Sequence, residues 1–221
     1  MCIFEKKKMK EHKRVIFLDI DGVLNHQKFY TDVSVSKRRQ SRMELGDEWG
    51  EAFCPVSTAL LNELITETDA RVVISSTKRS TKFLRESYDD NLECIREMWK
   101  ARGFVGEVIG TTPHLWIENS RLNHLEYNIS MPRGCEIEAF LEKDLKFHHI
   151  NWSKEQQQEY MDVSGVDNYI ILDDDSDMLY TQRNHFVHVL PSPRNFSGFN
   201  KKYKKQALAK LSKTVIDLNY E

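Results

Sequence analysis

The stretch Val15-Ile16-Phe17-Leu18-Asp19-Ile20-Asp21-Gly22-Val23-Leu24-Asn25 carries an unbroken apolar run into two carboxylates and a glycine. A short continuous run of this kind, ended by a glycine, marks a strand buried on both faces, as in a parallel sheet. Asp19 and Asp21 are separated by one residue, so a strand's period of two sends both carboxylates to the same side. Gly22 lets the chain turn sharply behind them. Two carboxylates at one strand end repel each other unless a cation or a shared proton relieves them.

Working outward, other apolar runs end in polar chemistry. Arg71-Val72-Val73-Ile74 is β-branched and leads into Ser75-Ser76-Thr77; Tyr169-Ile170-Ile171-Leu172 leads into Asp173-Asp174-Asp175-Ser176-Asp177. Phe104 to Ile109, followed by the turn Gly110-Thr111-Thr112-Pro113, and Phe186 to Leu190, followed by Pro191-Ser192-Pro193, predict two more strands. Helical patterns lie between them. Pro55 opens one, with Val56, Ala59, Leu60, Leu64 and Ile65 at helical spacing. Thr81 to Arg102 carries Leu84, Tyr88, Leu92, Ile95, Met98 and Trp99 and is stopped by Gly103. Gly134 to Leu145 turns Ile137, Phe140 and Leu141 inward, Met178 to Arg183 reads as a short helix, and Lys201 to Lys213 as a basic helix with Tyr203, Ala207, Leu208 and Leu211 on its apolar side. Strands alternating with helices, without hairpin signals, predict an α/β fold with a mostly parallel central sheet and helices on both faces.

The 221 residues, 40% of them hydrophobic, suffice for one substantial core. We expect a flexible basic arm over residues 1–14 and a single domain over 15–221. The polar, aperiodic stretches 26–50 and 114–132 are read as lid insertions, the first as a loop or small lid. The 32 basic and 34 acidic side chains nearly cancel, which argues against a nucleic-acid coating protein or a general membrane-surface binder. No apolar run approaches the ~20 residues of a membrane span. Cys2-Ile3-Phe4 is followed at once by Glu5 and lysines, unlike a signal peptide, so a cytoplasmic protein is expected. Cys2, Cys54, Cys94 and Cys135 form no Cys-x-x-Cys pair and are expected to be reduced thiols. His148-His149 and His185-x-x-His188 lack partners at zinc-ligand spacing and are read as surface histidines.

Ligand sites in open parallel sheets lie beyond the carboxyl ends of the strands. The carboxylates there offer only oxygen, which favours Mg²⁺ over zinc. Taken together, "FLDIDGVLN", "VVISST", "GTTP", "RGCEIEAFL", "ILDDDSDM" and "FVHV" resemble the motifs of the haloacid dehalogenase (HAD) superfamily, in the phosphatase branch named from Swiss Army Knife RNA repair proteins. The resemblance spans roughly residues 15 to 190. It implies a Rossmann-like HAD fold and a magnesium-dependent phosphatase. Asp19 would attack phosphorus and Asp21 would serve as acid and base. Ser75 would hydrogen-bond a phosphoryl oxygen and Arg133 would offset negative charge, with Lys143 and Lys146 as alternatives for that cation. Asp19, the Asp21 backbone carbonyl, Asp173 and Asp174 would hold Mg²⁺, with Asp177 as a further candidate through water. Ser76, Lys78 and Arg79 follow as substrate-binding candidates, the last two for a second phosphate. The substrate implied is a small phosphorylated compound, a nucleotide, or the terminal phosphate of a nucleic acid. Val23 stands where phosphatase members commonly have Thr, a change of little cost because that side chain packs rather than reacts; Asn25 stands where many have a small hydroxyl residue, so leaving-group contacts are expected to differ.

Other readings are weaker. Asp173, Asp175 and Asp177 alternate like a calcium loop, but Met178 and Asn184 stand where such a loop needs Gly and Glu. No Gly-x-x-x-x-Gly-Lys occurs, which removes P-loop kinases. A Toprim-like nuclease also uses Asp-x-Asp on a parallel sheet, but later in the chain than here. A silent phosphate-binding module would keep the fold without turnover, yet both Asp19 and Asp21 are present. The basic segments Lys37 to Arg42 and Lys201 to Lys213 read as solvated faces before they read as polyanion sites. Trp116, Tyr127 and Trp152 are candidates for base stacking as well as for the core.

Overall fold

The computed structural model describes residues 14–79, 88–117, 129–146, 168–190 and 198–213. Its centre is a five-stranded sheet in the order β3-β2-β1-β6-β7, every neighbouring pair parallel. The strands are β1 (Arg14–Leu18), β2 (Arg71–Ile74), β3 (Val108–Thr111), β6 (Asn168–Asp173) and β7 (Phe186–His188). A small antiparallel pair, β4 (Trp116–Ile117) and β5 (Ile129–Ser130), stands apart. Helices are α1 (Gln27–Asp32), α2 (Val35–Leu45), α3 (Pro55–Thr68), α4 (Tyr88–Ala101), α5 (Arg133–Lys146) and α6 (Lys201–Leu211).

Alternation along each central strand divides the core into two layers. Ile16, Leu18, Val72, Ile74, Ile170 and Leu172 face α3, α4 and α6, meeting Leu61, Leu64, Ile95, Trp99, Ala207 and Leu211. Val15, Phe17, Val73 and Ile171 face the other way, onto Ile137, Phe140 and Leu141 of α5. Phe17 meets Phe140 edge-on, with ring centroids 5.6 Å apart. The helix-covered parallel sheet expected from the sequence is the observed architecture.

Several boundaries differ from expectation. Arg14 is no part of an arm: it opens β1 and donates from Nη1 to the Thr68 carbonyl at 3.1 Å. Residues 1–13, like the histidines at 148 and 149, Tyr127 and Trp152, lie outside the described residues. The segment 26–50 is helical over α1 and α2. Neither helix buries a residue, so no apolar stripe betrayed them; caps hold them instead, with His26 Nδ1 accepting from Phe29 N and Ser34 Oγ from Lys37 N. Val56 is 64% exposed and Ala59 exposed; the buried stripe of α3 runs through Leu60, Leu61, Leu64 and Ile65. The third strand begins at Val108, and Phe104 stacks on Trp99 instead. The short helix expected over 178–183 is a single 3₁₀ turn, Tyr180–Gln182, tied to α5 through Gln182 Nε2 and the Gly134 carbonyl.

His185 is not a surface residue. It is 2% exposed, stacked on Tyr169, with Nδ1–H donating to the Tyr169 carbonyl at 2.8 Å. The β6–β7 register brings these rings together, which sequence spacing could not reveal. Cys54, Cys94 and Cys135 are free thiols. Among the described residues, no helix is long and apolar enough to cross a membrane.

Candidate active site

Strand register gathers the chemistry. Leu18 is level with Ile74 on one side and Leu172 on the other. The residues that follow each strand therefore emerge together at one sheet edge. Backbone bonds continue the ladder one step beyond: Asp19 N to Leu172 O, Ser75 N to Leu18 O, Thr112 N to Ile74 O and Val189 N to Asp173 O, all between 2.8 and 3.1 Å.

Asp19, Asp173 and Asp174 form the centre, each offering a carboxylate oxygen with all three oxygens within 4.8 Å of one another. Asp19 is 8% and Asp173 2% exposed. Burial pushes the Asp19 carboxyl up to about 7, against a Ser76 hydrogen bond and the Arg133 charge, which favour the ionised form. Burial and the Asp19 charge likewise push Asp173 up to about 8. Asp174 is raised as well, by burial first. Asp173 Oδ1 accepts from Asp175 N at 2.9 Å, but Oδ2 is buried without a hydrogen-bond partner. An orphaned buried carboxylate oxygen beside two other carboxylates fits a hard cation, which would supply the missing partner and cancel the repulsion.

Gly22 has φ +78°, and a β-carbon there would lie 1.9 Å from Asp174 Oδ2. The glycine both makes the turn and admits the carboxylate. Asp21 stands outside the acidic trio and is exposed. Its Oδ1 accepts from Asn25 Nδ2 at 3.4 Å and lies 3.8 Å from Lys78 Nζ. Asp19 and Asp21 thus occupy different environments, one buried among carboxylates and one at the mouth.

Ser75 and Ser76 are both buried, Ser75 beneath the Thr112 hydroxyl, whose Oγ1 donates to Ser75 Oγ at 3.4 Å. Ser76 reaches Asp19 and accepts from Lys78 N at 3.3 Å. Arg133 begins α5, with Nε 3.8 Å from Asp173 Oδ2 and Nη1 3.5 Å from Glu136 Oε2. The side chains of Lys143 and Lys146 lie outside the described residues. Asp177 is engaged elsewhere: its Oδ2 accepts from Arg133 N at 2.7 Å, capping α5 from across the chain.

Arg79 turns inward. Its guanidinium is buried and bonds the Ser76 and Pro113 carbonyls, His114 Nδ1 and Glu136 Oε2, the last at 2.7 Å. Lys78 is therefore the one of the two that meets the mouth of the site. Glu136 also accepts from Leu115 N, so one buried carboxylate ties together the serine loop, the turn after β3 and α5. Sequence reasoning passed over Glu136 and Thr112. Thr112 had a signal in the Gly-Thr-Thr-Pro turn; Glu136 had none, since a glutamate in the first turn of a helix is ordinarily a solvated dipole partner.

A family model describing the HAD domain in Swiss Army Knife RNA repair proteins matches residues 15–194, from β1 to beyond β7. No curated protein and no solved structure gives a significant match. The match covers every strand that contributes to the acidic edge. With the parallel sheet, the strand-end aspartates and this span in agreement, the chain belongs to the family of HAD domains in Swiss Army Knife RNA repair proteins.

Proposed function

We propose that the chain is a Mg²⁺-dependent phosphatase that hydrolyses phosphate monoesters through an aspartyl phosphate on Asp19. The observation that carries this reading is the convergence of Asp19, Ser75 and the Asp173–Asp174 pair on one sheet edge, with oxygen donors alone and one buried carboxylate oxygen left without a hydrogen bond. Family membership supports a hydrolase and a nucleic-acid end or nucleotide as substrate. We take residues 14–221 as one domain, with 26–50 and 114–132 as lids.

An Asp19 carboxylate oxygen attacks phosphorus, and the bond from phosphorus to the leaving oxygen breaks as Asp21 gives that oxygen its proton. The Asp21 carboxylate then takes a proton from water as the water attacks phosphorus. Inorganic phosphate leaves, and Asp19 regains its carboxylate while Asp21 regains its proton. Asp19, Asp173, Asp174 and the Asp21 carbonyl would hold a divalent cation, which would supply charge stabilisation to the transferred group. Ser75, Ser76 and Lys78 hold the phosphoryl group, and the Arg133 charge favours the ionised form of Asp19 against the effect of burial. Placing the acid-base group at the mouth lets water and the leaving group reach it while Asp19 stays shielded.

Purified protein with Mg²⁺ is expected to release phosphate from an aryl phosphate and from at least one member of a panel of nucleotides, sugar phosphates and 3′- or 5′-phosphorylated oligonucleotides. Asp19→Asn should abolish release. Turnover that survives this substitution would remove Asp19 as nucleophile.

A further inference from the structure

A second polar cluster borders the site on its Asp21 side. Trp49 Nε1 donates to the Lys78 carbonyl at 3.0 Å, tying the segment that carries α1 and α2 to the loop whose Lys78 ammonium sits 3.8 Å from Asp21. Burial first, and then the charges of Asp21 and Glu51, hold the hydroxyl of Tyr30 on α1 above the usual phenol range, against the opposing charges of Arg38 and Arg42. The Arg38 guanidinium carbon lies 5.3 Å from the Tyr30 ring centroid, a cation–π stack.

The unusual member is Glu51. It is 7% exposed, and its Oε1 lies 3.9 Å from both Arg38 Nη1 and Arg42 Nη2, too far for a hydrogen bond. Its Oε2 and the Arg38 Nε are buried without partners. The carboxylate thus holds two guanidinium groups by charge alone and leaves their donors unspent. Arg42 is 67% exposed at its side chain. Two guanidinium groups against the one Glu51 carboxylate leave that cluster net positive. The exposed Arg42 guanidinium, with the Arg38 Nη groups beside it, matches a phosphate group, which accepts charge-assisted guanidinium bonds.

We infer that Arg38 and Arg42, braced by Tyr30 and Glu51, form a second phosphate subsite that takes the phosphodiester adjoining the terminal phosphate of a polynucleotide. The inference rests on the reading of Asp19 as a phosphatase nucleophile and adds that the substrate is a strand end rather than a lone nucleotide. It also assigns a role to the basic run Lys37 to Arg42, otherwise a solvated face.

The test compares kcat/KM for a phosphorylated short oligonucleotide, the matching mononucleotide and 4-nitrophenyl phosphate, in wild type, Arg42→Ala and Arg42→Lys, with circular dichroism to verify folding. The wild type should prefer the oligonucleotide. Arg42→Ala should lower the oligonucleotide-to-aryl ratio about tenfold or more, as loss of a charge-assisted bond implies. It should also flatten the salt dependence by about 0.7 in log–log slope, and Arg42→Lys should retain the slope. Equal wild-type use of mononucleotide and oligonucleotide, or an unchanged ratio in Arg42→Ala, overturns the subsite while leaving the phosphatase intact. If no substrate releases phosphate, the phosphatase reading falls. Fluorescence anisotropy with the phosphorylated oligonucleotide then decides the subsite alone: weaker binding by Arg42→Ala sustains it, equal binding ends it.

Discussion

The Asp174 carboxylate occupies the space that a side chain on residue 22 would need, its Oδ2 lying 1.9 Å from where a Gly22 β-carbon would stand. Gly22→Ala must also adopt φ +78°, which costs an L-residue about 1–2 kcal/mol. The larger effect is displacement of Asp174 from the acidic trio. The variant is expected to fold with a modestly lower melting temperature and to lack the thermal upshift that Mg²⁺ is expected to confer on the wild type. Calorimetry with and without the cation reads both; an undiminished Mg²⁺ upshift would count against Asp174 as a ligand.

The protons on Asp19 and Asp173 make the cation-free fold sensitive to pH. Their folded-state values, pushed up to about 7 and about 8, lie above the ordinary carboxylate value of 3.8. The folded chain therefore binds more protons than the unfolded chain across that interval, so their contribution is fully present below about pH 4 and is lost as pH rises through about 7 to 8. In chelator, the melting temperature should fall from about pH 4 to about pH 8 more steeply in wild type than in Asp173→Asn. Added Mg²⁺ should flatten the wild-type decline, because ionised carboxylates then have a partner. A decline of equal steepness in the two proteins would remove this pair as its source.

Glu136 and Arg79 form a pair whose side chains are each 3% exposed. Removing one partner leaves an uncompensated buried charge, so Glu136→Ala should destabilise the protein by about 3–5 kcal/mol in urea denaturation. Arg79→Met with Glu136→Leu should recover a large part of that loss, since no lone charge remains. A loss below about 1 kcal/mol would indicate that the pair is screened as a surface bridge is.

Asp177 caps α5 through Arg133 N at 2.7 Å. Asp177→Ala should cost about 0.5–2 kcal/mol, the usual range for a lost helix cap. The same change loosens the backbone that carries Arg133, so kcat should fall while Asp177→Asn, which keeps an acceptor, stays near wild type. Were Asp177 a metal ligand instead, both variants would raise the Mg²⁺ concentration needed for activity.

How far the sequence reached depended on whether a residue's role was local. Apolar runs at 15–18, 71–74 and 169–172 became the three central strands because burial on both faces demands unbroken hydrophobicity. The helices α3 and α6 were legible from their stripes, whereas α1 and α2 were not, since they bury no residue and rest on caps. Arg79 reads in the sequence as a candidate for a second phosphate beside the serine loop, and its burial against Glu136, a partner 57 positions away, is visible only in the structure.

The sequence by itself determined the kind of sheet and the residues at its carboxyl edge, because a parallel strand's buried run and the polar residue that ends it are adjacent in the chain. Only the tertiary structure decided which edge residues meet. Register aligned Leu18 with Ile74 and Leu172, the glycine at 22 made room for Asp174, and burial separated Asp19 from the exposed Asp21. Those are distances across strands and differences in solvation, set by packing between segments far apart in sequence.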